Sequence, residues 1–441
     1  MTYEEALHFI KLSEQYGSVL GLENMRKLLK ELDNPQDKLK FVHIAGTNGK
    51  GSTAAYIANI LASAGYLVGR YISPAVFSYF EKIQITGLNK QVKKSSSVKT
   101  TYINNIEVAK YINRIKEICR AMTEEGFPHP TVFEIETAMA MLHFVKEKCD
   151  VVVLEVGLGG RLDATNVITT TECAVITSVS MDHMHILGNT LEKIAEEKAG
   201  IIKERIPVVS YDQEPEAKEV IESACRKNHS ALTEADFNKI QIETQSIEET
   251  IFSYESFKHL KIRLLGENQV KNAVLAVLTA ECLRNLGYSI TNENIQNGLE
   301  HTHWRGRFEI IKKKPYFIID GAHNEDAALS LEQNIKYYFG SKKIIFIIGV
   351  LADKDYDAVL RHTGKYADKI YTITPNTIRG LPADKLAKTA LKYNCRVFDA
   401  GTVVRAVKMA YESACEEDVI IAFGSLSYLK EICDAAGVVL P

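Results

Sequence analysis

Residues 43–61 read HIAGTNGKGSTAAYIANIL, and whether this run holds phosphate decides how the rest of the chain is organised. The common phosphate-loop pattern G-x-x-x-x-G-K-[ST] would need Gly at 44 and Ser or Thr at 51. Those places hold Ile44 and Gly51. The context is still that of an anion site: 42–45 predict a strand, 46–51 a turn, and 52 onward a helix of small residues. That geometry aims backbone N–H groups outward at a helix start. Gly46, Gly49 and Gly51 permit close approach, Lys50 offers a point charge for phosphate, and Ser52 offers a hydroxyl for Mg²⁺. For the run alone, a glycine-rich turn that binds nothing is the competing reading.

Outward from the loop, short β-branched runs alternate with longer segments of helical period, the pattern of parallel sheets with crossover helices. Strands are predicted at 40–45, 67–72, 150–156, 173–179 and 206–210, and helices at 51–64, 105–122, 134–148, 190–203 and 215–227. Residues 231–265 predict antiparallel strands, followed by a helix over 267–286. Beyond residue 304 the alternation restarts, with strands at 316–320, 343–349, 369–373, 396–398 and 418–423. A chain of 441 residues exceeds one ordinary core. The expected architecture is α/β, with an N-terminal phosphate-loop mononucleotide-binding domain over 1–300 and a smaller Rossmann-like α/β domain over 301–441. The lysine-rich stretch 88–104 reads as a solvated loop, with a lid over a ligand as the alternative.

Composition narrows the partners. A 46% hydrophobic and 25% charged chain of net charge −3 has no broad basic surface for nucleic acid. Eight dispersed cysteines without a C-x-x-C pair read as reduced thiols. The N-terminus is acidic and helical in period, and no apolar run is long enough to cross a bilayer. A cytoplasmic protein with small-molecule substrates and no membrane partner is expected.

Several residues stand out at predicted strand ends, where open α/β sheets bind ligands. Glu155 closes the apolar strand of DVVVLEVGLGGRLDATN (150–166). A carboxylate there is costly without a cation or hydrogen-bond network, which argues for Mg²⁺. Asp182 and His183 follow another strand, where a lone His is more often structural. Asp320 ends the strand of YFIIDGAHNEDA (316–327), where a simple turn is the alternative. Lys198, within EEKAG, reads by itself as a solvated helix lysine.

The run GTNGKGS (46–52) resembles the phosphate loop of the folylpolyglutamate synthase and dihydrofolate synthase family of the Mur ligase superfamily. Matches extend along the chain: YISPAVFSYFEKIQITG (71–87), with Ala75 where His is frequent; the D-H-x-x-x-L-G segment at 182–188; LLGENQVKNAVLAV (264–277), with Asn268 in place of His; HWRGRFE (303–309), with Arg305 in place of Pro; DGAHN (320–324); and AFGSLSYL (422–429), with an extra Ser427.

The resemblance implies an ADP-forming ligase that adds L-glutamate to tetrahydrofolate through an acyl phosphate, with dihydropteroate as a second acceptor. It implies ATP on Thr47, Asn48, Gly49, Lys50, Gly51 and Ser52, with Asn272, Arg307 and Asp320 as further nucleotide contacts. Two magnesium ions would be held with Ser73, Glu155 and His183. Lys50, a carbamylated Lys198 and His323 would serve the chemistry, and K⁺ is a further candidate cofactor. The family likeness also implies a monomer. The alternatives are another Mur-type amino-acid ligase, or a phosphate-loop NTPase switch without ligase chemistry. The G-K-G-S form of the loop and its early position, with no uridine-nucleotide domain ahead of it, point to the folate branch.

Overall fold

The computed structural model describes residues 1–17, 21–88 and 98–439. Its N-terminal half is built on an eight-stranded sheet: β1 (Phe41–Ala45), β2 (Val68–Tyr71), β3 (Ile83–Leu88), β4 (Val98–Tyr102), β5 (Val151–Glu155), β6 (Thr171–Ile176), β7 (Val208–Ser210) and β8 (Leu232–Glu234). Their order across the sheet is β4-β3-β2-β5-β1-β6-β7-β8. From β2 to β8 all neighbours run parallel, while β3 pairs antiparallel with β2 and β4.

The central strands are largely apolar because both faces are covered. Val42, Ile44 and Val153 pack on one face with the helices Lys50–Ser63 and Glu267–Asn285. Phe41, Val152 and Leu154 pack on the other, against helices that include Tyr3–Ser13, Asn105–Glu124 and Val132–Glu147. The Lys50–Ser63 helix is buried on nearly every side, so its small residues let it lie close between sheet and neighbour helix.

A three-stranded antiparallel sheet, β9 (Ile240–Gln245), β10 (Thr250–Tyr254) and β11 (Phe257–Ile262), precedes the Glu267–Asn285 helix. The C-terminal half carries β12 (Glu309–Lys313), β13 (Tyr316–Ile319), β14 (Ile344–Ile348), β15 (Lys369–Ile373), β16 (Val397–Gly401) and β17 (Val419–Phe423). Their order is β12-β13-β17-β14-β15-β16, parallel except for the β12 edge.

Differences from the sequence reading fall at sheet edges. Residues 98–102, expected within a loop, form β4, a half-exposed strand rich in Thr whose alternation is too polar to show a buried face. Residues 89–97 of that stretch lie outside the described residues. β3 and β12 were not anticipated, and β8 extends the large parallel sheet instead of joining the antiparallel one. The helix expected over 190–203 stops at Ala199, where Gly200 packs against Arg161.

Candidate active site

The carboxyl ends of β1, β2, β5 and β6 face those of β13 and β17 across one cleft of about 230 Å³. On the N-terminal side, β1 runs into Gly46, whose φ of 151° and packing leave no room for a side chain: a Cβ there would overlap Thr177. The Thr47 backbone N–H donates to the Ser178 carbonyl at 2.7 Å, and its hydroxyl donates to the Ser180 carbonyl at 3.0 Å. Gly49, at φ 86°, starts the Lys50–Ser63 helix, and a Cβ on it would meet the Asn272 side chain. The turn thus leaves the first helical N–H groups at the cleft.

Gly51 has a reason that its spacing alone did not reveal. A Cβ at this helical position would lie 2.7 Å from the indole of Trp304, which seals the back of the turn. The Trp304 ring in turn lies under the Arg70 guanidinium, 5.0 Å from its centroid. The insertion of glycine between Lys50 and Ser52 makes room for an aromatic wall.

Lys50 folds back, donating to the carbonyls of Gly46 at 3.0 Å and Thr47 at 3.1 Å. Burial lowers its pKa, opposed by the charges of Glu155 and Asp182. Glu155 is buried at the end of β5, and desolvation pushes its carboxyl up to about 7 despite Lys50, Arg307 and the Ser73 backbone. Lys198 is 3% exposed, and desolvation, reinforced by Lys50, lowers its amine to about 7. An acid and a base of ordinarily distant pKa are therefore both poised near neutrality in one cleft.

His183 begins the short helix Met184–Leu187 with φ 49°, and burial lowers its pKa to about 4, leaving a neutral imidazole. Its Nε2 lies 3.3 Å from Lys354 Nζ. Lys354 comes from the opposite half and pairs with Asp182 at 2.6 Å. Asp182 also accepts from Asn324 Nδ2 at 3.2 Å and lies 3.7 Å from His323 Nε2. Burial acts to raise its pKa, but His323, Lys354 and His183 together hold its carboxyl well below the usual carboxylate range.

From the C-terminal side, Asp320 accepts the backbone N–H groups of Phe308 and Ala322, each at 2.7 Å. Arg307 is half-buried beside it and donates Nη1 to the Gly306 carbonyl at 3.1 Å. His323 turns Nδ1 to the Gly321 carbonyl at 2.7 Å, which leaves Nε2 on the Asp182 side. Asn324 and Asp326 reach back to the Asn48 amide at 3.3 and 2.7 Å. Asn272, on the buried Glu267–Asn285 helix, accepts from the Tyr211 hydroxyl at 3.1 Å.

All the residues named from the sequence for phosphate, nucleotide, metal or chemistry line this cleft, from Thr47 to His323. The sequence reading missed Lys354, Asp326, Gln269 and Asn334, and gave no role to Trp304. Lys354 had a signal, charges in LADKD directly after an apolar strand. Asn334, midway along the helix Glu325–Phe339, had none.

The donor set can be tested against magnesium. Among the described residues, no three His, Cys, Asp or Glu side chains converge to hold a metal ion. One buried carboxylate, Glu155, stands with Ser73 and Ser52 around the same cleft. A sparse oxygen set of this kind fits Mg²⁺, which keeps several waters and shares phosphate oxygens. It does not fit an ion that requires a complete protein cage.

Comparison with known proteins places this geometry. The model described as Mur ligase middle domain matches residues 44–280, and that described as Mur ligase, glutamate ligase domain, matches 306–426. The dihydrofolate synthase/folylpolyglutamate synthase of Bacillus subtilis (strain 168) is 32% identical over 98% of this chain and 98% of its own. The crystal structure of folylpolyglutamate synthase from Thermotoga maritima is 32% identical, with a TM-score of 0.82 over 98% of this chain and 96% of that one. Mycobacterium tuberculosis folylpolyglutamate synthase, solved in complex with ADP and AMPPCP, is 27% identical, with a TM-score of 0.86 over 99% of both chains.

Proposed function

The chain belongs to the folylpolyglutamate synthase and dihydrofolate synthase family of Mur ligases, ATP-dependent and ADP-forming, and from that premise we propose that it joins L-glutamate to a reduced folate, with dihydropteroate as a second acceptor. The observation that carries this reading is the cleft itself. A phosphate turn and a cation-seeking carboxylate on one side face a fixed Arg–Asp pair and an imidazole on the other.

Amide formation from a carboxylate is uphill in water, because the carboxylate is a poor electrophile and oxide a poor leaving group. Transfer of the ATP γ-phosphoryl group to the folate carboxylate corrects both faults. The N–H groups of residues 49–52 would cradle the phosphates, and Lys50 would leave its two carbonyl acceptors to meet charge that builds up during transfer. Arg307 offers a planar donor fork for phosphate, oriented beside Asp320. Asn272 is the proposed contact to the remainder of the nucleotide.

Ser73, Glu155 and His183 would hold magnesium, which when bound withdraws charge from the phosphoryl oxygens. Lys198, with much of its amine neutral near pH 7, is chemically suited to take up carbon dioxide. The carbamate would turn a buried cation into an anion beside Lys50. His323 Nε2, next to Asp182, would receive a proton from the incoming glutamate ammonium. Closure of the two halves, joined near residue 300, would keep water from the acyl phosphate.

The test is direct. With ATP, Mg²⁺, glutamate and either tetrahydrofolate or dihydropteroate, ADP release should depend on both acceptor and glutamate, and the product should gain one glutamyl residue in mass. Nucleotide turnover independent of both would overturn the ligase assignment. Mass spectrometry from a bicarbonate-containing, non-acidic buffer reports the state of Lys198.

A further inference from the structure

The connection from β2 to β3 leaves one half of the molecule and enters the other. Beyond Tyr71 it passes Ser73 at the cleft and then buries Phe77, 6% exposed, in the apolar cluster of the C-terminal half with Phe317, Ile319, Ile420 and Leu429. Among the described residues before 300, only Phe77 and its neighbour Val76 join that cluster. The Arg305 guanidinium lies over the Phe77 ring, 4.4 Å from its centroid. It is held there by Glu309, which accepts Arg305 Nε at 2.9 Å and the Gly306 N–H at 2.7 Å.

The hook that carries Phe77 is stiff. Glu81 Oε2 accepts the N–H groups of both Val76 and Phe77, at 3.0 and 3.1 Å. Phe77 is four residues from Ser73, whose backbone is one of the groups that stabilise the Glu155 charge. A short, hydrogen-bonded segment thus links the C-terminal half to the Ser73 and Glu155 side of the cleft.

We propose that Phe77, clamped by Arg305 and Glu309, is a positioning residue that couples docking of the two halves to the placement of Ser73. The inference rests on the ligase reading above. Its chemical consequence is that the oxygen donors around the phosphates are aligned only when the second half, with Arg307 and His323, is docked. Phosphoryl transfer is then disfavoured in the open molecule, where water would consume the product.

Phe77→Ala should lower kcat roughly 10- to 100-fold, the size of a misplacement of about 1 Å, while KM for ATP changes by less than about threefold. Phe77→Met, which refills the volume, should restore most of the loss. Ile345→Ala serves as the stability control, because Ile345 is buried in the same cluster at the end of β14 away from the cleft. It should lower the unfolding temperature comparably and leave kcat within about twofold.

Equal kcat losses in Phe77→Ala and Ile345→Ala, or an unchanged kcat in Phe77→Ala, would overturn the proposal. Small-angle scattering of the full chain with ADP reads docking without any turnover. An expanded profile in Phe77→Ala is expected, and a profile identical to wild type sinks the coupling even if no acceptor proves to be a substrate.

Discussion

Two carboxylates stand at the ends of parallel strands, buried Glu155 in one half and half-buried Asp320 in the other, and the fold treats them differently. Burial raises the pKa of both. Asp320 is answered chiefly by the molecule itself, through two backbone N–H groups at 2.7 Å and the adjacent Arg307. Glu155 has mainly the charges of Lys50 and Arg307, with the Ser73 backbone, to offset its burial, and remains at about 7. Asp320 is a finished piece of architecture that sets the turn and aims an arginine. Glu155, with Lys50 and Lys198, is on the proposed reading a set of charges whose partners would arrive with the ligand.

The largest effect should come from the unfinished side. Lys50→Ala is expected to lower turnover by about 10³-fold, the scale of losing a positioned cation in phosphoryl transfer. Thermal unfolding of the ligand-free protein should not fall, because desolvation disfavours the Lys50 charge and its hydrogen bonds go only to backbone carbonyls. A large loss of stability would place Lys50 with Asp320 and break the contrast.

Lys198 sharpens it through pH. Its amine titrates near 7 when folded and near 10.5 otherwise. Between those values the folded state binds fewer protons, so the destabilisation is fully present below about pH 7 and is recovered as pH rises towards 10.5. In carbon dioxide-free buffer, Lys198→Met should therefore stabilise the protein below pH 7 by at most about 5 kcal/mol. The gain should fade across the alkaline limb in denaturant titrations, and a gain independent of pH would reject Lys198 as its source.

Much of this contrast was legible in the sequence. Central strands such as VVVLE (151–155) declare themselves because both faces are buried, and Glu155 is conspicuous as a charge within such a run. What escaped was written in pairs distant along the chain. The use of Gly51 becomes plain only when Trp304 is folded against it, and Lys354 meets Asp182 from the other half. β4 and β12 were missed because edge strands, exposed on one side, carry too little apolar alternation to announce themselves. Taken by itself Lys198 reads as solvated for the opposite reason, since its helix shows a charged pattern while tertiary packing buries that one amine.

A smaller effect is expected on the finished side. Asp320→Asn keeps the shape but offers one acceptor oxygen where two N–H groups need one each. It should cost roughly 1–3 kcal/mol in denaturant unfolding with or without nucleotide, as expected for a buried donor left unsatisfied. A variant that lost activity with unchanged stability would show that Asp320 acts on ligand instead of on the turn.

The mildest substitution tests the matching carboxylate. Glu155→Gln is nearly isosteric and removes a charge that burial disfavours, so in chelator the variant should be as stable as wild type or more stable by about 1 kcal/mol. Affinity for ADP without metal, read by calorimetry, should stay within about twofold, while the gain on adding Mg²⁺ should shrink by roughly tenfold. The sign of the stability change discriminates here, because a carboxylate serving architecture loses stability when neutralised, as Asp320 is expected to. If Glu155→Gln destabilises the metal-free protein while Mg²⁺ still strengthens ADP binding as in wild type, the two carboxylates do the same work. The cation would then have to be held by the hydroxyl of Ser73 or Ser52 and the phosphates without it.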